Sequence, residues 1–281
     1  MGTTDLPLPD GRILRVHDSE GDGFPVVWHH GTPQSGRLLP PVVEAAAARG
    51  FRVVSYARPG YGGSTPQVGR TVGSAAEDVR QLADALDLPR FAVLGASGGG
   101  PHTLACAALL PDRVTAAVCL AGLAPYSEEY DWYGGMVDDS SLRAARKGRE
   151  TRLRHGETQE FDPTSFTDAD WAALRGTWGP LGEDAGAAGD VAAEADDDLA
   201  YVAPWGFSAA DVRVPVLLVH GGEDRIVPAS HSECLLRNLP DAELWLRPRD
   251  GHISVLNALP TALDWLAPGK ETVREGNPEG I

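Results

Sequence analysis

The sequence has little of what membrane, secreted or nucleic-acid-binding proteins require. It has no run of about 18 consecutive apolar residues, which excludes a membrane-spanning helix. Its first residues lack the basic and apolar regions of a secretory signal. Lysine and arginine number 24 against 40 aspartates and glutamates, and the net charge of −16 disfavours nucleic acids and anionic membranes as partners. These absences predict a cytoplasmic protein, and they leave its oligomeric state open.

Cysteine is also scarce. Cys106, Cys119 and Cys234 are far apart and odd in number, so we expect buried thiols and not a disulfide framework or a metal site. No other residue spacing indicates a metal site. Glycine is abundant, at 33 of 281 residues, yet neither the G-x-G-x-x-G dinucleotide pattern nor the G-x-x-x-x-G-K-[ST] phosphate loop occurs. The sequence therefore predicts no metal and no cofactor.

Apolar runs that alternate with helical segments set the predicted fold class. The runs lie at 12–17, 25–30, 51–57, 91–95, 114–121, 214–220 and 242–246, and most are continuously apolar. Such strands, separated by helices, indicate an α/β protein whose parallel sheet is covered by helices on both faces.

A stretch of different character interrupts this alternation. It holds four tryptophans and the acidic run Asp196-Asp197-Asp198, and it is interpreted as a helical insertion above the carboxyl ends of the strands. The predicted domains are a core at 1–125 and 208–268 and a helical cap at 126–207. The polar tail at 269–281 is expected to be disordered.

The most informative motif is Gly95-Ala96-Ser97-Gly98-Gly99, between an apolar strand and an Ala/Leu-rich helix. This strand–turn–helix context is typical of a nucleophile elbow, in which a strained turn exposes the serine hydroxyl. Gly95 and Gly99 are expected because side chains two residues before and after the serine would collide. The motif predicts that Ser97 is a nucleophile.

A serine nucleophile needs a base that is neutral near pH 7, and that base needs an orienting carboxylate. His252 follows the final predicted strand, and Asp224 follows the strand before it. The order Ser97, Asp224, His252 is the chain order of the α/β-hydrolase triad. Glu223 and Asp250 remain alternatives for the carboxylate.

With these motifs, the chain resembles the α/β-hydrolase superfamily over about residues 5 to 268. His30-Gly31-Thr32-Pro33 is similar to the family's H-G-x-P loop, and 58–64 to its R-G-x-G-x-S loop with Pro59 added. Residues 221–228 are similar to its G-x-x-D-x-x-V-P loop. The resemblance implies a mostly parallel, eight-stranded sheet with a helical cap. It also implies an oxyanion hole formed by the backbone N–H groups of Thr32 and Gly98.

The predicted function is hydrolysis of a small-molecule ester through an acyl-enzyme on Ser97. The alternatives are a proline-iminopeptidase-like aminopeptidase, a carbon–carbon bond hydrolase, a cofactor-free haloperoxidase-like enzyme, and a ligand receptor that kept the fold. In the aminopeptidase interpretation, Asp138, Asp139 and Glu194 bind the free amine. Candidate pocket residues are Gln34, Trp132 and Trp205, although tryptophans in an insertion commonly form its core.

Overall fold

The computed structural model describes residues 1–188 and 190–267, and the predicted tail at 269–281 lies outside them. Its sheet has the strand order β1-β2-β4-β3-β5-β6-β7-β8. β1 and β2 pair antiparallel, as do β2 and β4, and every other pair is parallel. The mostly parallel eight-stranded sheet predicted above is therefore confirmed. The strands are β1 (Gly2–Pro7), β2 (Ile13–Asp18), β3 (Phe24–His29), β4 (Phe51–Tyr56), β5 (Phe91–Ala96), β6 (Val114–Leu120), β7 (Val216–Gly221) and β8 (Ala242–Arg247).

Ten α-helices accompany the sheet within the described ranges. They are α1 (Pro40–Ala47), α2 (Ser74–Ala85), α3 (Gly99–Leu109), α4 (Ser140–Arg146), α5 (Arg149–Gly156), α6 (Asp168–Arg175), α7 (Gly179–Ala187), α8 (Val191–Val202), α9 (Ser230–Asn238) and α10 (Leu259–Leu266). Five of them, α4 to α8, lie between β6 and β7, where the sequence predicts the insertion. None of the helices in the part of the chain that is described is long and apolar enough to cross a bilayer.

The core divides into two layers because neighbouring residues of a strand point to opposite faces of the sheet. Val27 and Val93 pack into one apolar cluster with residues of α2 and α3. Their neighbours Val26 and Leu94 pack into a second cluster with residues of α1 and α10. Both faces of the parallel strands are buried, which explains why these strands are continuously apolar.

The N-terminal strand β1 is the one strand that the apolar pattern misses. Its six residues are exposed or half-buried, because it pairs only with β2 at the edge of the sheet. An edge strand that buries so little has no apolar alternation from which to predict it.

Candidate active site

Ser97 lies at the turn that joins β5 to α3. Its backbone is left-handed, with φ of +53°, and its amide donates to the Leu120 carbonyl at 2.8 Å. A Cβ on Gly95 would come 2.6 Å from the Gly99 carbonyl oxygen, so the predicted reason for this glycine holds. The reason for Gly99 differs from the prediction, because a Cβ there would collide with the His29 carbonyl and not with Gly95.

Ser97, His252 and Asp224 meet at the carboxyl ends of three strands and form a hydrogen-bonded chain. His252 Nε2 lies 2.9 Å from Ser97 Oγ, and His252 Nδ1 lies 2.7 Å from Asp224 Oδ2. Ser97 is half-buried, while the other two side chains are buried. The proton on Nδ1 is directed to a carboxylate, which leaves Nε2 free to accept the serine proton.

The environment of Asp224 keeps it ionised. Its Oδ1 accepts hydrogen bonds from the backbone N–H groups of Ile226 and Val227, both at 2.9 Å. Burial opposes the charge, but His252 and the hydrogen bonds of the site hold the pKa of Asp224 well below its usual range. Burial alone would lower the pKa of His252, but the carboxylate outweighs burial and raises it. The pair therefore favours an imidazole that gains a proton readily.

The two alternative carboxylates have different surroundings. Asp250 pairs with Arg247 at 2.8 Å. Glu223 is exposed and lines a polar surface cavity of about 400 Å³ with Arg225 and Thr167. The hydrogen bond to the ring of His252 comes from Asp224, so the geometry favours Asp224 as the orienting group.

Asp170, at the start of α6, is a site residue that no sequence motif indicated. Its Oδ1 accepts the amides of Ile253 and Ser254, both at 2.8 Å, and the Ser254 hydroxyl at 2.9 Å. Its Oδ2 accepts the amide and hydroxyl of Thr167 at 3.0 and 2.9 Å, which closes a capping box on α6. A carboxylate from the insertion thus holds the two residues that follow His252.

The loop after β3 lies beside the elbow. A Cβ on Gly31 would come 3.5 Å from Ser97 Cβ, and one on Gly98 would come 2.5 Å from Thr32 Oγ1. Within residues 1–188 and 190–267, the backbone N–H groups of Thr32 and Gly98 donate to no protein acceptor. Gln34 is buried, and its Oε1 accepts the Gly31 amide at 2.5 Å. Gln34 thus braces this loop.

Trp132 and Trp205 are core residues. Both are buried in the larger apolar cluster, and their indole N–H groups donate to the carbonyls of Ala124 and Tyr201. Trp132 also packs edge-on against His231, whose two ring nitrogens bond to backbone groups. These contacts favour the core interpretation of both tryptophans over the pocket interpretation.

The acidic residues offered for an amine are already occupied. Asp138 accepts from Ser140 and Gln159, Asp139 pairs with Arg143 at 2.8 Å, and Glu194 lies 3.8 Å from Arg152. These contacts weaken the aminopeptidase hypothesis.

Three further histidines surround the site. His30 Nε2 accepts a hydrogen bond from the Arg58 backbone N–H, and His102 Nδ1 bonds to the Gly98 carbonyl at 2.8 Å, so both rings brace backbone groups. His220 lies behind the site, with its Nε2 3.5 Å from the Asp224 carboxylate. Its ring nitrogens bond to Ser232 and the Val227 carbonyl. Over the described ranges, no group of three or more His, Cys, Asp or Glu side chains is arranged to hold a metal ion.

Known proteins resemble this chain along most of its length. A family model described as alpha/beta hydrolase fold matches residues 25–259. The chain is 27% identical to the "Putative carbamate hydrolase RutD" of Caulobacter sp. (strain K31), covering 86% of this chain and 89% of that one. It is 29% identical to the "Pimeloyl-[acyl-carrier protein] methyl ester esterase" of Nitrosomonas europaea, covering 87% and 95%.

Among solved structures, the fold is similar to that of a bromoperoxidase from Bacillus anthracis. The TM-score is 0.69 at 25% identity, and the match covers 94% of this chain and 96% of the other. Nearly the whole chain therefore has a counterpart in a known structure.

Proposed function

This chain belongs to the alpha/beta hydrolase fold family, and from that premise we propose that it is a serine hydrolase that cleaves small-molecule esters through an acyl-enzyme on Ser97. The observation that carries the proposal is the chain of hydrogen bonds from Ser97 Oγ through both ring nitrogens of His252 to Asp224. This arrangement makes a weak hydroxyl nucleophilic near neutral pH.

In the proposed first step, Ser97 Oγ attacks the ester carbonyl carbon while its proton moves to His252 Nε2. The tetrahedral oxyanion accepts hydrogen bonds from the backbone N–H groups of Thr32 and Gly98. Each such donor typically contributes about 3–4 kcal/mol to transition-state stabilisation. The intermediate collapses when the C–O bond breaks, and the alcohol departs with the proton from Nε2. Water then loses a proton to Nε2 and attacks the acyl group. The bond between the acyl carbon and Ser97 Oγ then breaks, Oγ takes the proton back from Nε2, and the carboxylic acid is released.

We also propose that residues 126–207 cover this site as a cap. Asp170 from α6 contacts the turn after His252, and Asp197 and Tyr201 from α8 contact Thr32. The insertion therefore bonds to two of the loops that carry the proposed machinery.

The test is labelling with a fluorophosphonate, read by intact mass. Wild type should gain one adduct, Ser97→Ala none, and Ser127→Ala one as the matched control, because among the described residues the Ser127 hydroxyl bonds only to the Glu129 amide. Turnover of p-nitrophenyl esters of increasing acyl length should be lost in Ser97→Ala alone. No adduct on folded wild type, or an adduct retained by Ser97→Ala, would refute the proposal.

A second candidate is a haloperoxidase-like activity. The observation that favours it is the 25% sequence identity between this chain and the bromoperoxidase from Bacillus anthracis. It predicts bromination of an organic dye when hydrogen peroxide, bromide and a carboxylic acid are supplied. Because the same serine would carry it, Ser97→Ala should abolish both activities. The ratio of bromination to ester hydrolysis in wild type decides between the two candidates.

The aminopeptidase and receptor hypotheses have less support. Proline-iminopeptidase-like enzymes generally carry G-x-S-W-G, with tryptophan where this chain has Gly98. A Cβ at Gly98 would collide with Tyr201 Oη and Thr32 Oγ1. A receptor would bind ligand without multiple turnovers, so sustained ester hydrolysis excludes it.

A further inference from the structure

Both residues proposed to supply the oxyanion hole are hydrogen-bonded by the same helix of the insertion, α8. The Thr32 hydroxyl donates to Asp197 Oδ2 at 2.7 Å. The Tyr201 hydroxyl donates to the Gly98 carbonyl at 3.0 Å and also lies 3.0 Å from Thr32 Oγ1. Asp197 and Tyr201 are four residues apart and therefore share one face of α8. The proposed catalytic chemistry assigns neither residue a role.

Asp197 is fixed in place by charge. Its fully buried carboxylate pairs with Arg58 at 2.6 Å and Arg70 at 2.9 Å, and it accepts the Tyr61 hydroxyl at 3.0 Å. Burial opposes its ionisation, but the two guanidinium groups hold the pKa of Asp197 far below its usual range. It therefore stays an anion, and an anionic acceptor forms roughly twice as strong a hydrogen bond with Thr32 as a neutral one.

Arg58 also holds the loop after β3 by hydrogen bonds. Besides Asp197, it donates to the carbonyls of His30 and Gly31 and, at 2.9 Å, to Thr32 Oγ1. Three successive loop residues are thus tied to one buried ion pair. These buried hydrogen bonds from one guanidinium group restrict the movement of the loop segment at residues 30–32.

The gap between Thr32 and Gly98 is filled by hydroxyl groups. A Cβ on Gly98 would come 2.5 Å from Thr32 Oγ1 and closer still to Tyr201 Oη. Both hydroxyl oxygens therefore lie directly against the backbone of Gly98. Burial raises the pKa of Tyr201 well above its usual range, so its proton remains available to the Gly98 carbonyl.

We infer that Asp197 and Tyr201 are positioning residues that fix the oxyanion hole before substrate binds. The inference rests on the proposed function, because the hole matters only if Ser97 attacks a carbonyl. An oxyanion hole works through donors whose placement costs no reorganisation during the reaction. On this account, α8 acts in the chemical step as well as in covering the site.

The experiment compares Tyr201→Phe with Tyr56→Phe. Tyr201→Phe removes only the hydroxyl that contacts Gly98 and Thr32. Tyr56 is equally buried, and its hydroxyl has no hydrogen-bond partner among the described residues, so Tyr56→Phe is the matched control. For each variant we would measure kcat and KM on an activated ester and the rate of phosphonylation of Ser97, with a thermal melt to verify folding.

For Tyr201→Phe we expect kcat and the phosphonylation rate to fall about tenfold or more, since small misplacements of catalytic groups can cost up to about a hundredfold. KM should change by less than about twofold, because only transition-state contacts are affected. Tyr56→Phe should match wild type in all three quantities. A merely structural role would lower the melting temperature without this separation of kcat from KM.

Thr32→Val provides the second test, because it deletes the hydroxyl that Asp197 holds and keeps the backbone N–H. It is preferred to Asp197→Asn, which would leave the two guanidinium groups buried without a counter-charge. Thr32→Val should lower kcat as Tyr201→Phe does, and the double variant should lose less than the product of the two effects, because both act on one hole. If Tyr201→Phe does not fold, the result for Thr32→Val decides.

Failure of the proposed function and failure of the positioning inference give different experimental results. If wild type is not labelled at Ser97, the proposed function fails and the inference falls with it. If wild type is labelled but folded Tyr201→Phe and Thr32→Val keep wild-type kcat and phosphonylation rates, the proposed function stands and the inference is wrong. A rise in KM at unchanged kcat would also overturn it, because it would show a binding role.

Discussion

Replacing Asp170 with asparagine tests how the insertion supports the histidine. Asp170 is fully buried, and its two oxygens accept five hydrogen bonds. In Asp170→Asn, the amide oxygen would take the place of Oδ1 and keep the three bonds from Ile253 and Ser254. The NH₂ group would take the place of Oδ2, where the Thr167 hydroxyl could rotate and accept a hydrogen bond from it, but the Thr167 N–H would lose its partner.

The magnitude follows from this count. A hydrogen bond to a charged group contributes about 1.5–3 kcal/mol, and a buried donor left without a partner costs about 1–3 kcal/mol. These two ranges describe the same lost bond, so we expect Asp170→Asn to lower the free energy of unfolding by about 2–3 kcal/mol. Asp168→Asn, in the same turn but exposed, is the control and should cost less than about 1 kcal/mol.

Asp170→Asn should also change the pH dependence of the reaction. The charge of Asp170 raises the pKa of His252, so its removal lowers that pKa. As the proposed general base, His252 would work in its neutral form, so activity should be lost as the pH falls through its pKa. The acid limb of kcat/KM should therefore move to lower pH in Asp170→Asn and stay in place in Asp168→Asn.

Urea unfolding and a pH–rate profile on an activated ester measure both effects. Loosening of the turn alone would lower kcat without moving the acid limb. Wild-type stability together with an unmoved acid limb in Asp170→Asn would refute the reasoning.

Three further predictions concern other parts of the site. Asp224→Asn should lower kcat/KM by about 10⁴-fold and move its acid limb to lower pH, because the charge that orients the imidazole and raises its pKa is gone. An acid limb at the wild-type pH would contradict this prediction. Trp132→Ala should lower the free energy of unfolding, measured by urea unfolding, by about 3–5 kcal/mol and leave KM unchanged, as expected of a core residue. A changed KM at wild-type stability would restore the pocket interpretation. Gly95→Ala should destabilise the fold by about 1–3 kcal/mol and slow phosphonylation, because its Cβ would overlap the elbow backbone. Gly186→Ala is its control, since a Cβ there meets nothing within 4 Å, and equal stability of the two variants would count against the steric argument.

The fold class and the proximity of Ser97, Asp224 and His252 could both be predicted from the sequence. The strands of the parallel core are continuously apolar because both faces of the sheet are buried, so they stand out in the sequence. Parallel strands bring their carboxyl ends to one edge, and a residue just after each strand is therefore placed near the others. Local signals sufficed because each of these residues is positioned by the strand it follows.

The contacts of Asp170, Asp197 and Tyr201 could not be predicted from the sequence and became visible only in the folded structure. Asp196, Asp197 and Asp198 form an acidic run that composition would assign to a solvated surface, yet all three side chains are buried. Each is paired with arginine: Asp196 with Arg149, Asp198 with Arg152, and Asp197 with the arginines described above. Thr32 and Asp197 are 165 residues apart, and Asp170 and Ile253 are 83 apart. A charge is stable in the interior only beside its counter-charge or donors, and here folding brings those partners from distant parts of the chain.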